Sequence, residues 1–354
     1  MPKSNDCSPR WPKADLAAAR SDLALWFAAN ARVLPWRTER SVYRTVVSEF
    51  MLQQTRVSTV LPYFERWMEA FPGFAALAAA DPEEVVNLWQ GLGYYSRARN
   101  LHKLAQRIAA EGVPSSVADW LKLPGIGGYT SAAIASIAQE LPVAVVDGNV
   151  VRVLARLSAN ETRWKSAGEA VKSFGALAED FLNAEQPGEH NEAMMELGAL
   201  VCLPRAPLCT VCPLVRHCDA AAKGIAQELP VIVKARKNEV TVRRALVVEA
   251  GRVLLLQHPK NAKRLAGIHE LPSLEDLPQG WVPETSPLAK RKRGIGNDSI
   301  TEWIHSVANL STLPKECPLK WIDIQELESV SISGPHRRWI GELKDQLSCP
   351  RPSV

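Results

Sequence analysis

Leu123-Pro-Gly-Ile-Gly-Gly-Tyr-Thr-Ser, residues 123–131, lies between two helical stretches and decides how most of the chain is read. Glycines at 125, 127 and 128 allow a tight backbone turn. Such a turn brings N–H groups close to a phosphate, and the following helix adds its positive end. A hairpin of this kind supplies backbone affinity and carries no base information. Further along, Leu141-Pro-Val-Ala-Val-Val-Asp-Gly-Asn-Val (141–150) brings in an acid, Asp147.

Working outward, the text from Asp15 to about Cys218 is helical. Apolar residues recur at helical spacing, as in Val42–Val46–Val47–Phe50–Met51 and Leu101–Leu104–Ala105–Ile108. Breakers at Phe71-Pro-Gly, Asp81-Pro, Val113-Pro, Pro124-Gly and Pro187-Gly mark helix boundaries. Asp81-Pro-Glu-Glu reads as an N-cap, a first-position proline and acids at the positive helix end. The fold expected is mainly α over residues 15–225, after a disordered stretch at 1–14 and before a polar linker at 226–240. Residues 241–348 read as a smaller α+β domain. There Ala245–Val248 and Val253–Leu256 form two strands joined at Ala250-Gly251. Helices are expected near Ile324–Val330 and Arg337–Leu347.

A chain of 354 residues exceeds what one core usually serves, which agrees with two domains. Its 46% hydrophobic and 23% charged residues are those of an ordinary globular protein. Apolar runs such as Ala24–Ala29 are too short to span a bilayer, and the N-terminus lacks a signal-peptide core. The expected location is therefore the cytoplasm. A net charge of +4 permits a polyanionic partner without demanding one. The cysteines say more. Cys202, Cys209, Cys212 and Cys218 follow C-x6-C-x2-C-x5-C within residues 202–218. In a reducing compartment such crowding favours an inorganic centre over disulfides, with iron–sulfur and zinc as the candidates. Zinc ribbons present two paired knuckles, and only Cys209–Cys212 is such a pair.

One carboxylate stands out in Val46-Val-Ser-Glu-Phe-Met-Leu-Gln-Gln-Thr-Arg. Glu49 sits on or beside the apolar face of its helix. Burial there raises its pKa, as a general acid at neutral pH requires. The competing reading is a core-edge glutamate satisfied by Arg44, Arg56 or a backbone group.

The hairpin with Asp147 resembles the helix–hairpin–helix and Gly/Pro-Asp signature of the DNA glycosylase superfamily. The string Ser48-Glu-Phe-Met-Leu-Gln-Gln-Thr resembles that of the MutY adenine DNA glycosylases, and the cysteine spacing resembles the [4Fe–4S] loop of endonuclease III and MutY enzymes. The resemblance implies a monomeric, nucleoid-associated enzyme of base excision repair that flips adenine out of 8-oxoguanine:A or G:A mispairs in duplex DNA. It implies that Glu49 protonates the base, Asp147 stabilises the oxocarbenium ion, and Tyr129 and Asn149 orient Asp147 or water. Trp36, Arg37, Leu52 and Glu192 match the adenine pocket, though Trp36 equally suits a core. Gln54, Thr55, Tyr94, Gly125 and Gly127 match positions at the lesion or DNA backbone. Bifunctional members carry a Schiff-base lysine where this chain has Tyr129, so glycosylase chemistry without efficient strand cleavage is expected. The alternatives are an endonuclease III-like pyrimidine glycosylase and lyase, a lesion-binding protein without activity, and a Nudix pyrophosphohydrolase.

Residues 245–345 resemble the Nudix-like C-terminal domain of MutY. Leu265-Ala-Gly-Ile-His-Glu-Leu-Pro stands for its L-x-G-L-W-E-F-P segment, with no R-E-x-x-E-E metal helix after it. The family's Phe-Ser-His lesion loop is missing. Ser299 and Thr301 are the candidate substitutes, and the preceding Lys290-Arg-Lys-Arg run is a candidate phosphate contact.

Overall fold

The computed structural model describes residues 13–233, 237–259, 261–262, 265–308, 313, 317–328 and 330–348. The chain divides into two compact units, Met1–Leu88 with Ser96–Ala235, and Trp89–Tyr95 with Arg236–Val354. The disorder expected for residues 1–14 lies outside the described residues, except that the first helix begins at Lys13.

The first unit is helical. Its long helices are α1 (Lys13–Asn30), α2 (Val42–Leu52), α3 (Val57–Ala70), α4 (Ser96–Glu111), α5 (Gly128–Gln139), α6 (Gly148–Leu157) and α7 (Pro187–Leu200). The breakers fall where the sequence puts them. The Phe71 N–H closes α3 on the Trp67 carbonyl at 2.8 Å, and the Asp81 carboxylate caps the next short helix through the Glu83 N–H at 2.7 Å. Leu23 and Phe27 of α1, Val150 and Leu154 of α6, and Leu197 of α7 share one core. Each such side chain contributes roughly 1.5–3 kcal/mol on burial. Among the described residues no helix is long and apolar enough to cross a membrane.

Of the three hairpin glycines, only Gly125 takes a left-handed conformation, with φ 78°. A Cβ there would stand 2.8 Å from Cβ of Asn100 and 2.9 Å from the Phe50 ring, so side-chain volume and dihedral both require glycine. Gly127, by contrast, has φ −108° and open space around it. Within the stretch read as linker, β2 (Val231–Ile232) pairs in parallel with β1 (Arg163–Trp164). A two-residue pairing is too short to leave an alternation in the sequence.

The second unit is built on mixed sheets. In one, β9 (Asp298–Ala308) lies between β3 (Asn238–Leu246), which is parallel to it, and β7 (Val282–Pro283) and β8 (Ala289–Ile295), which are antiparallel. In the other, β5 (Arg252–Gln257) pairs with β4 (Val248–Glu249), β6 (His269–Glu270) and β10 (Leu319–Asp323). Ala250 and Gly251, at φ 48° and 74°, form the two-residue turn between β4 and β5, whose twist suits a hairpin. The C-terminal helix α8 (Gly334–Ser348) packs Trp339, Ile340 and Leu343 against Leu246, Val253 and Ile304. The helix expected at 324–330 is corrected to one 3-10 turn, Ile324–Glu326, where the Asp323 carboxylate takes the Gln325 N–H at 2.8 Å. That bond caps the start of the turn, supplying a partner for an N–H that no helical carbonyl reaches.

Beneath the sheet, Arg244 and Arg293 face Glu270 and Glu302 around a fully buried His336. His336 Nδ1 accepts the Leu271 N–H at 2.9 Å, leaving Nε2 towards the carboxylates at 3.3–3.4 Å. Two cations balance two anions here, which is how charge survives burial.

Candidate active site

The helix α2 is buried from Thr45 to Met51, yet its sides differ. Val46, Val47, Phe50 and Met51 are core, while Thr45, Ser48, Glu49 and Leu52 line a cleft of about 910 Å³. Positions i, i+3, i+4 and i+7 form one helical stripe, so a polar stripe on an apolar helix faces this cleft. The helix is held at both ends. Ser41 Oγ accepts the Arg44 N–H, and the Arg97 guanidinium donates to the carbonyls of Phe50, Met51 and Gln53 at 2.6–2.9 Å. Arg97 was not singled out from sequence, because a buried arginine in Ser-Arg-Ala-Arg looks like any helical surface charge.

The hairpin delivers Tyr129 on the first turn of α5, and Asp147 is the N-cap of α6. Asp147 Oδ1 accepts the Val150 N–H at 2.8 Å and Oδ2 accepts the Asn149 amide at 2.9 Å. The approach to Asp147 is pinned by buried Asn191, which takes the Val145 N–H at 3.0 Å and donates to the Val143 carbonyl at 2.9 Å. Gly198 on α7 is the contact point for α6. A Cβ there would come within 2.6 Å of Cβ of Asn149. This close approach brings Glu192, Met195 and Glu196 of α7 to the same cleft.

Burial pushes the Glu49 carboxyl up to about 7. A Tyr129 hydrogen bond opposes the shift, while the charges of Asp147 and Glu192 add to it. Asp147 is also raised by burial, opposed by the bonds from Val150 and Asn149 and by the Arg152 charge. Of the four carboxylates lining the cleft, Glu49 and Asp147 thus differ in their surroundings, the usual basis for dividing acid and base roles. Arg44 is engaged by Glu39 at 3.0 Å, so it does not serve as the partner imagined for a core-edge Glu49. Arg37 bonds Glu192 at 2.9 Å and Glu196 at 3.1 Å, Arg32 bonds Glu196 at 2.7 Å, and Arg40 closes on Glu192. Burial would raise Glu196, but the Arg32 and Arg37 bonds outweigh it and hold this carboxyl down at about 2. Trp36 is both a core residue, edge-on to Phe64 at 5.1 Å, and a cleft wall.

The structure therefore brings together Trp36, Arg37, Glu49, Leu52, Thr55, Tyr129, Asp147, Asn149 and Glu192. Gln54, Gly125 and Gly127 do not line the cleft. Gln54 is exposed with φ 57°, and Tyr94, 57% exposed with φ 50°, belongs to the second unit. In that unit the Tyr94 loop is tied to the C-terminal chain, with Gln90 bonding the Val330 carbonyl at 3.3 Å and Tyr95 that of Ile332 at 3.4 Å. Ser299 and Thr301 stand inside strand β9 and not on a loop. Its turn with β8 is formed by Gly296 and Asn297.

Cys202, Cys209, Cys212 and Cys218 line a single small cavity, walled by Val153, Leu157, Leu197, Val201 and Leu214, and none is in a disulfide. Among the described residues no three donors stand together as they would around one metal ion. Two arginines of α6, one helical turn apart, reach this loop. Arg152 donates to the Cys202 carbonyl at 2.7 Å and to Asn149 Oδ1 at 2.9 Å, and Arg156 contacts Cys202 Sγ at 3.2 Å. Both were missed from sequence, although arginines at i and i+4 in Val-Val-Arg-Val-Leu-Ala-Arg-Leu break an apolar run.

A helical hairpin placing an acid at a helix N-terminus, beside a second buried acid, defines a class. Residues 47–179 match the HhH-GPD superfamily of base excision DNA repair proteins. The chain is 44% identical over 219 residues to the adenine DNA glycosylase of Mus musculus, covering 58% of this chain and 42% of the relative. It is 32% identical over 240 residues to that of Buchnera aphidicola subsp. Acyrthosiphon pisum, covering 67% and 66%. A thermostable thymine-DNA glycosylase structure aligns with TM-score 0.52 and 25% identity over 60% of this chain and 98% of the other. The chain belongs to the adenine DNA glycosylase family, and it spans less than half the length of the mouse relative.

Proposed function

We propose that the protein excises adenine mispaired with 8-oxoguanine, or with guanine, from duplex DNA. The observation that carries this reading is the pairing of Glu49, held near pKa 7, with Asp147 in one cleft. Adenine is a poor leaving group until its ring is protonated, and Glu49 supplies that proton at N7. The bond to the sugar then breaks through an oxocarbenium-like state, which the Asp147 carboxylate stabilises. Tyr129 and Asn149, bonded to Glu49 and Asp147, orient the two acids. Trp36, Arg37, Leu52 and Glu192 form the pocket for the flipped base, and Gln54, Thr55 and Tyr94 act at the opposite base. The hairpin at Gly125 and Gly127 holds phosphate. The second unit has a Nudix-like fold and reads 8-oxoguanine, with Ser299 and Thr301 the residues to test.

No lysine is among the residues lining the cleft, which favours hydrolysis over a lyase reaction. Single-turnover incubation with 8-oxoguanine:A, G:A and thymine-glycol duplexes tests the reading. The expected product is an abasic site opposite 8-oxoguanine or guanine that breaks only after alkali. Efficient borohydride trapping of a protein–DNA adduct, or excision of thymine glycol instead, overturns it.

Cys202, Cys209, Cys212 and Cys218 hold a [4Fe–4S] cluster in this reading. A polynuclear centre takes one thiolate per iron, so it suits four sulfurs spread around a cavity with apolar walls. The bound cluster would cross-link residues 202–218, and Arg152 carries the order of that loop to Asn149 and Asp147. The purified protein is expected to be brown with about four irons per chain, and Cys212→Ala to lose iron and thermal stability together. An active, colourless, zinc-loaded protein rules the cluster out.

A further inference from the structure

The basic run Lys290-Arg291-Lys292-Arg293 lies on β8, and the sheet divides it in two. Arg291 pairs with Glu342 of α8 at 2.9 Å, and Arg293 pairs with Glu302 at 2.7 Å and Glu270 at 2.9 Å. These two arginines are spent on the inner face. Successive residues of a strand point to opposite faces, so Lys290 and Lys292 go outward, and both are exposed.

Register shows what surrounds them. Lys290 and Arg243 both stand opposite Trp303, Lys292 and Thr241 opposite Thr301, and Gly294 and Glu239 opposite Ser299. Lys290 Nζ lies over the Trp303 ring, 4.5 Å from its centre. Lys237 joins the group, its Nζ 3.8 Å from where a Cβ of Gly294 would be. The outer face therefore carries four cations and three hydroxyls around an indole, against one carboxylate, Glu239. Among the described residues none of the four cations is ion-paired, whereas the inward arginines of the same strand all are.

We propose that this face of the β3–β9–β8 sheet binds the phosphate backbone of duplex DNA. Lys237, Arg243, Lys290 and Lys292 contact phosphates, and Trp303 stiffens Lys290 and Arg243 from beneath. Unpaired cations gathered on one sheet face suit a polyanion, and each phosphate neutralised releases counterions. The proposal deepens the reading of the protein as a DNA glycosylase and rests on it for the nature of the partner. The rival account is that edge-strand lysines merely guard β8 against pairing with another chain.

The test uses the full-length holoprotein, Lys290→Gln/Lys292→Gln, and a control of equal charge change on the helical unit, Lys165→Gln/Lys172→Gln. Fluorescence anisotropy measures affinity for undamaged and 8-oxoguanine:A duplexes across a salt series. With about 0.9 lost from the salt slope per phosphate contact, the sheet variant should lose roughly 2 from the slope of log K against log salt. At fixed moderate salt it should bind about tenfold more weakly or worse, a factor set by those two contacts. The control should match wild type in both affinity and salt slope. An unchanged slope, an equal loss in the control, or self-association of the variant with unchanged slope each overturns the proposal. Absence of adenine excision by wild type would sink the glycosylase reading alone, because undamaged duplex still reports on this face.

Discussion

Glu49→Gln is expected to lose adenine excision by at least about 10²–10⁴-fold, the usual contribution of general acid catalysis. Duplex affinity should stay within about tenfold of wild type, or ~1.4 kcal/mol. Glutamine keeps the shape and can still accept the Tyr129 hydrogen bond, so what disappears is the transferable proton. The wild-type enzyme carries its own pH test. Glu49 is protonated below about 7, so the single-turnover rate should fall as pH rises through that value. Stability follows the same group. Its folded pKa lies above the unfolded value of 4.5, so the native state holds the extra proton more tightly between these two values. Stability from this residue is therefore full below pH 4.5 and lost as pH rises through about 7, by an amount on the order of 3 kcal/mol. Glu49→Gln should flatten that part of the stability curve. Near wild-type excision by the variant would refute the mechanism, and joint loss of binding and folding would make Glu49 a structural glutamate.

Asp147→Asn should be comparably damaging to the chemical step, for a different reason. The carboxylate is the N-cap of α6, and asparagine caps about as well, so the bond to the Val150 N–H survives. The thermal midpoint should accordingly stay close to wild type. Only the negative charge facing the developing cation is removed, together with any covalent route through that oxygen. Single-turnover rate beside equilibrium binding on one 8-oxoguanine:A duplex separates the effects. Excision at more than a tenth of the wild-type rate would show that the charge of Asp147 is dispensable.

Much of the helical unit was legible because its signals are local. Periodic apolar positions and proline–glycine breakers depend on neighbours a few residues away, and those neighbours travel with the sequence. Glu49 was legible in part: an acid beside an apolar stripe reads as a core-edge glutamate as readily as a general acid, and the resemblance of Ser48-Glu-Phe-Met-Leu-Gln-Gln-Thr decided between them. What escaped was long-range. Arg97, Arg152, Arg156 and Asn191 look like ordinary polar residues until their backbone partners, about 40 residues away or more, are brought to them. The 324–330 segment failed in the opposite direction, where a helix-like pattern with an aspartate cap yields only the 3-10 turn Ile324–Glu326.

By itself, then, the sequence determined the helical elements, the hairpin, the four clustered thiols and the presence of two acids with different neighbours. Only tertiary structure decided that Glu49 and Asp147 share a cleft, because the two acids are far apart in the chain and only helix packing brings α2 beside the N-terminus of α6. It alone decided that one hairpin glycine of three is obligatory, since only Gly125 meets both a left-handed turn and a wall of packed atoms. The run Lys290–Arg293 shows the same division of labour. Four adjacent cations are equivalent on paper, but strand pleating turns two to the inner face, where Arg293 enters buried ion pairs and Arg291 an exposed one, and leaves two facing water.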